Sequence, residues 1–117
     1  MSNLKILHNP RCSKSRQTLQ LLHDKGFEPQ IIEYLKNLVS ADELTLIISQ
    51  LGFTSARQLM RKGEDIYKEQ NLVDPTLTED SLIEAMLNNP KLIERPIVIC
   101  NGKAAIGRPP ESVLDIL

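Results

Sequence analysis

The sequence predicts an α/β fold, with a βαβ unit at the start, a β-hairpin near the end and a helical block between them. Three observations carry this reading. Strand-like and helix-like stretches alternate through residues 4–35, helix caps recur between residues 40 and 90, and Asn101-Gly102 stands between two apolar runs.

Residues 4–8, LKILH, form a short strand that runs into the turn signal Asn9-Pro10. A helix follows from about Ser13 to Lys25, with Leu19 and Leu22 facing inward and Gly26 in the usual place for a C-terminal stop. QIIEYL, residues 30–35, is the next strand. Strand, helix and strand within about thirty residues make a crossover unit, so these strands pair in parallel through a right-handed connection. Ser40 followed by Glu43 is a capping box, and LTLIISQL carries that helix to Gly52. Thr54 can cap a short helix, SARQLM, that ends near Gly63, and IYKEQN suits a further helical turn. Thr78, with Glu79 and Asp80 in the first turn, starts LIEAMLNN, which Pro90 closes. Residues 40–90 therefore read as a helical insertion between two strand regions.

Pro96-IVIC, Asn101-Gly102 and KAAI give the clearest hairpin signal, because Asn-Gly favours a two-residue type I′ turn. If Cys100 pairs with Lys103, then 99 faces 104, 98 faces 105 and 95 faces 108. Arg95 and Arg108, each followed by a proline, are thereby delivered to the same end of the hairpin. The segment RPPESVLDIL then reads as a last helix with proline in its first turn.

A chain of 117 residues suits one compact domain, taken as residues 1–117, whose core needs no metal or disulfide. The net charge of −1, with two Phe, two Tyr and no Trp, argues against a nucleic-acid groove. The start, MSNLKILH, has no signal-peptide pattern, and no apolar run approaches the ~20 residues that span a bilayer. Two cysteines, Cys12 and Cys100, point to a reducing compartment and not to a disulfide framework. A cytoplasmic monomer or weak oligomer without membrane contact is the expectation.

The chemistry concentrates in HNPRCSKSR, residues 8–16. A free thiol ionises near pH ~8.5, and a helix N-terminus beside cations lowers that value. Cys12 immediately precedes the predicted helix, among Arg11, Lys14 and Arg16, and the Ser13 and Ser15 hydroxyls could donate to its sulfur. The same helix end can hold an anion, so nucleophile and oxyanion cradle would coincide. A half-buried structural cysteine at a turn is the competing reading. His8 could help to ionise the thiol as an imidazolium, or pass a proton as a neutral ring, or merely be hydrogen-bonded at a strand end. Asn9 fits a plain turn residue, and His23 takes no role.

Cys100 lies four residues beyond Pro96, about 13 Å along an extended strand. A disulfide needs Cα atoms within roughly 7 Å. If Arg95 and Pro96 stand near Cys12, Cys100 is a packing residue and the second electron donor must come from outside. Position 15 is Ser, so CSKS is not a C-x-x-C dithiol; position 18 is Thr, so the C-x5-R phosphatase loop is absent; and no Cys and His spacing suits zinc.

With HNPRCSKSR, LMRKGEDIYKEQNL, LIERPIVI and GRPPESVLDIL, the chain resembles the glutaredoxin-coupled arsenate reductases of the thioredoxin-like superfamily, especially their short bacterial members. The resemblance implies a thioredoxin/glutaredoxin-like mixed sheet of about four strands carrying the helical insertion, with Pro96 as the cis-proline facing the cysteine. It implies Cys12 as nucleophile, His8 as the group favouring its thiolate, and Arg61, Arg95 and Arg108 as holders of the oxyanion. Arg61 rests on the resemblance alone, since LMRKG otherwise reads as a helix end with a solvated charge. The implied reaction belongs to arsenical resistance: arsenate is reduced to arsenite, glutathione is the co-substrate, glutaredoxin is the partner, and no cofactor is bound. The chain departs from the plasmid-type enzymes in stopping at Leu117 and in carrying Gly107 where some members have cysteine. Two alternatives stay open: a monothiol oxidoreductase acting on glutathione mixed disulfides, and a regulatory module that binds RNA polymerase, whose relatives typically carry C-x-x-C.

Overall fold

The computed structural model describes residues 4–36 and 39–117. They gather into two compact units, Met1–Asn37 with Arg95–Leu117, and Leu38–Glu94.

The first unit holds β1 (Lys5–Leu7), α1 (Ser13–Asp24), β2 (Gln30–Ile32), β3 (Ile97–Cys100), β4 (Lys103–Ile106) and a closing 3-10 helix, Pro110–Ile116. Its four strands lie in the order β2-β1-β3-β4. β1 and β2 pair in parallel across α1, as the crossover spacing requires. The β2 ladder stops at Ile32, so the predicted strand residues Glu33 to Leu35 lie outside it. β3 runs antiparallel to β1, with Leu7 opposite Ile97. That register sends His8 and Pro96, the next residues in each direction, to the same end of the sheet.

The β3–β4 hairpin has the predicted pairing, from Cys100 opposite Lys103 to Ile97 opposite Ile106. Asn101 and Gly102 turn with φ of 51° and 82°, the double positive φ that a type I′ turn demands. On α1, Ser15, Thr18 and Leu22 are buried and Leu19 is partly buried, at the spacing of one helix face. Leu22 meets Leu4, Ile6, Val98, Cys100 and Val113 in one apolar cluster. The last segment is 3-10 and not the α-helix expected from its prolines. Its inward residues explain the difference. Pro110, Val113 and Ile116 recur every third position, and a 3-10 helix stacks such positions on one edge.

The second unit contains α2 (Ala41–Gln50), a 3-10 turn at Ala56–Leu59, α3 (Asp65–Glu69), α4 (Glu79–Asn88) and a 3-10 turn at Pro90–Leu92. Ser40 Oγ accepts from Glu43 N at 3.1 Å, and Thr78 Oγ1 accepts from Ser81 N at 3.1 Å, so both predicted caps form. The cap of the middle segment is Ser55, not Thr54. Gln58 Oε1 reaches back to Ser55 N at 3.0 Å and completes a capping box there. Glu79 ties this turn to the start of α4, accepting from Ser55 Oγ at 2.9 Å and Ala56 N at 2.6 Å. An antiparallel bridge between Met60 and Ile93 joins the two sides of this unit, and Arg61 follows it directly. No helix among the described residues is long and apolar enough to cross a membrane.

Candidate active site

The loop before α1 is built to present Cys12. Asn9 is its organiser: its carbonyl accepts from Cys12 N at 3.0 Å and its Oδ1 accepts from Arg11 N at 3.0 Å. Arg16 Nη1 clamps the same loop by donating to Pro10 O at 2.9 Å. Cys12 then occupies the N-cap of α1 in extended conformation (φ −93°, ψ 124°), and Arg16 N donates to its carbonyl at 3.0 Å. The first-turn N–H groups of the helix have no intrahelical acceptors, which leaves them for the cap sulfur.

The thiol is half-buried, and burial pushes its pKa up. That effect is outweighed by the backbone N–H of Ser15, the Arg95 side chain, the backbone N–H of Lys14 and the charge of Arg95, so the net displacement is downward. Arg108 adds a second guanidinium, with Nη2 at 3.7 Å from Cys12 Sγ. Its Nε donates to Arg95 O at 2.8 Å, so one arginine's backbone aims the other's side chain. The hairpin register deduced from the Asn-Gly turn therefore does bring residues 95 and 108 together.

Behind this pair the backbone is tightly packed. Gly107 N donates to Pro96 O at 2.9 Å, and a Cβ on Gly107 would fall within contact distance of Thr18 and Pro96 side-chain atoms. Thr18 is itself fully buried, its hydroxyl donating to Lys14 O at 2.8 Å. The Arg95–Pro96 bond is cis, and so is Arg108–Pro109, which the sequence reading does not anticipate.

His8 and Ser15 form the second layer. His8 Nδ1 and Ser15 Oγ lie 2.6 Å apart, and Asn9 N donates to the same oxygen at 3.0 Å. Ser15 therefore serves the sulfur through its backbone N–H, while its hydroxyl is turned toward His8 and Asn9. Burial lowers the His8 pKa; Glu33 opposes this and the Arg16 charge adds to it. The neutral ring is favoured at pH 7, which weighs against the imidazolium reading.

Cys100 is 4 % exposed and sits in the core cluster, opposite Lys103 on the hairpin. Arg61 belongs to the second unit, and its surroundings there overturn the picture of a solvated charge. Its side chain is only 23 % exposed, with Nη2 at 3.9 Å from Glu64 Oε2 and Nε at 3.8 Å from Glu94 Oε1. Its Nη1 is buried with no hydrogen-bond partner among the described residues. Glu64 and Glu94 are absent from the sequence-based reading of the site. The acid beside Arg95 in LIERP was the one available hint.

A mixed four-stranded sheet with a thiol at the N-cap of its first helix, two arginines beside that sulfur and a cis Arg95–Pro96 bond ahead of β3 defines a thioredoxin-like thiol protein. The chain belongs to the ArsC family, whose profile matches residues 7–116. It is 50 % identical over 112 residues to an arsenate reductase of Haemophilus influenzae, covering 96 % of this chain and 97 % of that one. An arsenate reductase of Neisseria meningitidis serogroup A is 47 % identical over 117 residues, covering both chains completely. The solved structure of an arsenate reductase from Vibrio cholerae superposes with a TM-score of 0.96 at 54 % identity, covering 97 % of each chain.

Proposed function

We propose that this protein is an arsenate reductase that uses Cys12 as nucleophile and glutathione with glutaredoxin as its source of electrons. The single observation that carries the proposal is the placement of Arg108 Nη2 at 3.7 Å from the sulfur of Cys12, the N-cap residue of α1, whose pKa is displaced downward.

Arsenate is a dianion near neutrality, and a thiolate approaching it is repelled. Arg95 and Arg108 offset that repulsion and can donate paired hydrogen bonds to two oxygens while staying charged. Arg61 is included as a third ligand on family resemblance alone. Cys12 Sγ attacks arsenic and an oxygen leaves as water after protonation, giving a sulfur–arsenic(V) bond. Glutathione thiolate then attacks Cys12 Sγ. A sulfur–sulfur bond forms, the sulfur–arsenic bond breaks with its electron pair remaining on arsenic, and arsenite departs. Glutaredoxin thiolate removes the glutathione and regenerates the Cys12 thiolate. Cys100, buried in the core, has no part in this sequence.

The test is a coupled assay with arsenate, glutathione, active glutaredoxin and glutathione reductase, following NADPH. Arsenate-dependent consumption that disappears in Cys12→Ser is the expected result. Wild-type protein that fails to turn over arsenate in that mixture would overturn the reading.

A further inference from the structure

We infer that Thr18 and Gly107 are positioning residues for the thiol: their contact sets how closely the Arg108 guanidinium approaches Cys12 Sγ. The inference rests on the roles proposed above for Cys12 and Arg108, and it concerns the packing that holds them in register, all of it within the first unit.

Gly107 is pressed between α1 and the start of β3. A Cβ built there would overlap Thr18 Oγ1 and lie 2.9 Å from Pro96 Cγ and 3.1 Å from Thr18 Cγ2, closer than packed side chains tolerate. The other four glycines have nothing within 4 Å of the same position among the described residues. Gly107 is also outside the left-handed region that Gly26, Gly52 and Gly102 occupy, so space and not conformation calls for glycine here. Thr18 has little freedom to give way. It is fully buried and β-branched, and its hydroxyl is held by donation to Lys14 O at 2.8 Å. On the other side, Gly107 N donates to Pro96 O at 2.9 Å.

Each side of this contact leads directly to a group at the sulfur. On the helix side, Thr18 is bonded to the carbonyl of Lys14, the residue whose backbone N–H is a donor to Cys12. On the hairpin side, Gly107 directly precedes Arg108, whose N–H donates to Ile106 O at 2.9 Å and closes a three-residue turn around the glycine. Arg108 Nε is fixed in turn by Arg95 O at 2.8 Å, and its Nη2 stands 3.7 Å from Cys12 Sγ. Where this assembly meets α1 at Thr18, backbone lies against threonine with no Cβ between them. A methyl group inserted there must lift the hairpin end from the helix or turn Thr18 off its hydrogen bond. A charge-assisted contact depends on distance and angle together, so the aim of Arg108 at the sulfur is what such a shift degrades.

The probe is a pair of alkylating reagents, iodoacetate and iodoacetamide, read at Cys12 by mass spectrometry. With either one the Cys12 thiolate forms a sulfur–carbon bond and iodide leaves, so the ratio of the two rates at one pH is independent of how much thiolate is present. Iodoacetate alone is an anion, and the ratio therefore reports the cations beside the sulfur. Arg108→Ala gives the value without that guanidinium. In Gly107→Ala the ratio should fall toward that value by about threefold, the size of one solvent-exposed charge contact. Thr18→Ala, in which Gly107 loses its stop, should lower it about twofold on the same scale. In the double variant Gly107→Ala/Thr18→Ala the new methyl takes the space that threonine vacates, and the ratio should rise above both single variants. A purely structural role would lower the urea midpoint and leave the ratio alone. An unchanged ratio in Gly107→Ala overturns the inference, as does a double variant that does not exceed both single ones. Should Gly107→Ala fail to fold, the double variant is judged against Thr18→Ala by the same rule. No arsenate enters this experiment, so failure of the enzymatic reading appears separately, in the coupled assay.

Discussion

Cys12 and Cys100 are the same side chain in two settings, and the contrast between them explains the site. Cys100 ends β3 inside an apolar cluster, 4 % exposed, where a thiol behaves as a small hydrophobic group. Cys12 sits one residue ahead of α1, half-buried, with helix N–H groups and two guanidinium side chains directed at its sulfur. Nothing in the thiol distinguishes the two. What differs is whether the backbone nearby has spare donors and whether the hairpin delivers cations.

The strongest way to break this contrast is to remove each sulfur in turn. Cys12→Ser should abolish arsenate reduction and leave the fold unchanged. Cys100→Ala should keep activity and lose about 1 kcal/mol of stability, read from the urea midpoint. The next effect belongs to Arg108. Arg108→Ala should raise the pH at which Cys12 becomes reactive and weaken arsenate binding about tenfold, a charge-assisted contact reduced by exposure to solvent. Arg108→Lys keeps the charge and loses the planar fork and the donation to Arg95 O, so it should recover only part of the loss.

A smaller effect comes from His8. Burial depresses its folded-state pKa, whereas in the unfolded chain it protonates near about 6.5. As pH falls below that value the unfolded state binds the extra proton first, so this part of the stability is present at pH 7 and lost on the acid side. His8→Asn should flatten that slope, measured as urea midpoints between pH 7 and pH 5. A slope unchanged in the variant would show that another group titrates there.

Much of this arrangement was readable in the residues. The crossover unit followed from apolar spacing, and the meeting of Arg95 with Arg108 followed from the Asn101-Gly102 turn, because turn type fixes register and register fixes distant pairs. The N-cap position of Cys12 followed from where α1 had to begin. Legibility ended where a property depends on contacts between segments. The Ser15 hydroxyl turns to His8, a choice set by burial on both sides, and no local pattern gives it. The cap at Ser55 in place of Thr54 depends partly on Glu79, which lies 24 residues away. Arg61 looked solvated because its carboxylate neighbour Glu94 is brought close by the Met60–Ile93 bridge, a single non-local pairing without its own sequence signature.

The most direct measurement is the rate of iodoacetamide alkylation at Cys12 and Cys100 as a function of pH, resolved by mass spectrometry with and without arsenate. Cys12 should react with an inflection clearly below the ~8.5 of a free thiol and be protected by arsenate, while Cys100 in the native protein stays unmodified. A Cys12 inflection at or above that value, unaffected by arsenate, would contradict the account.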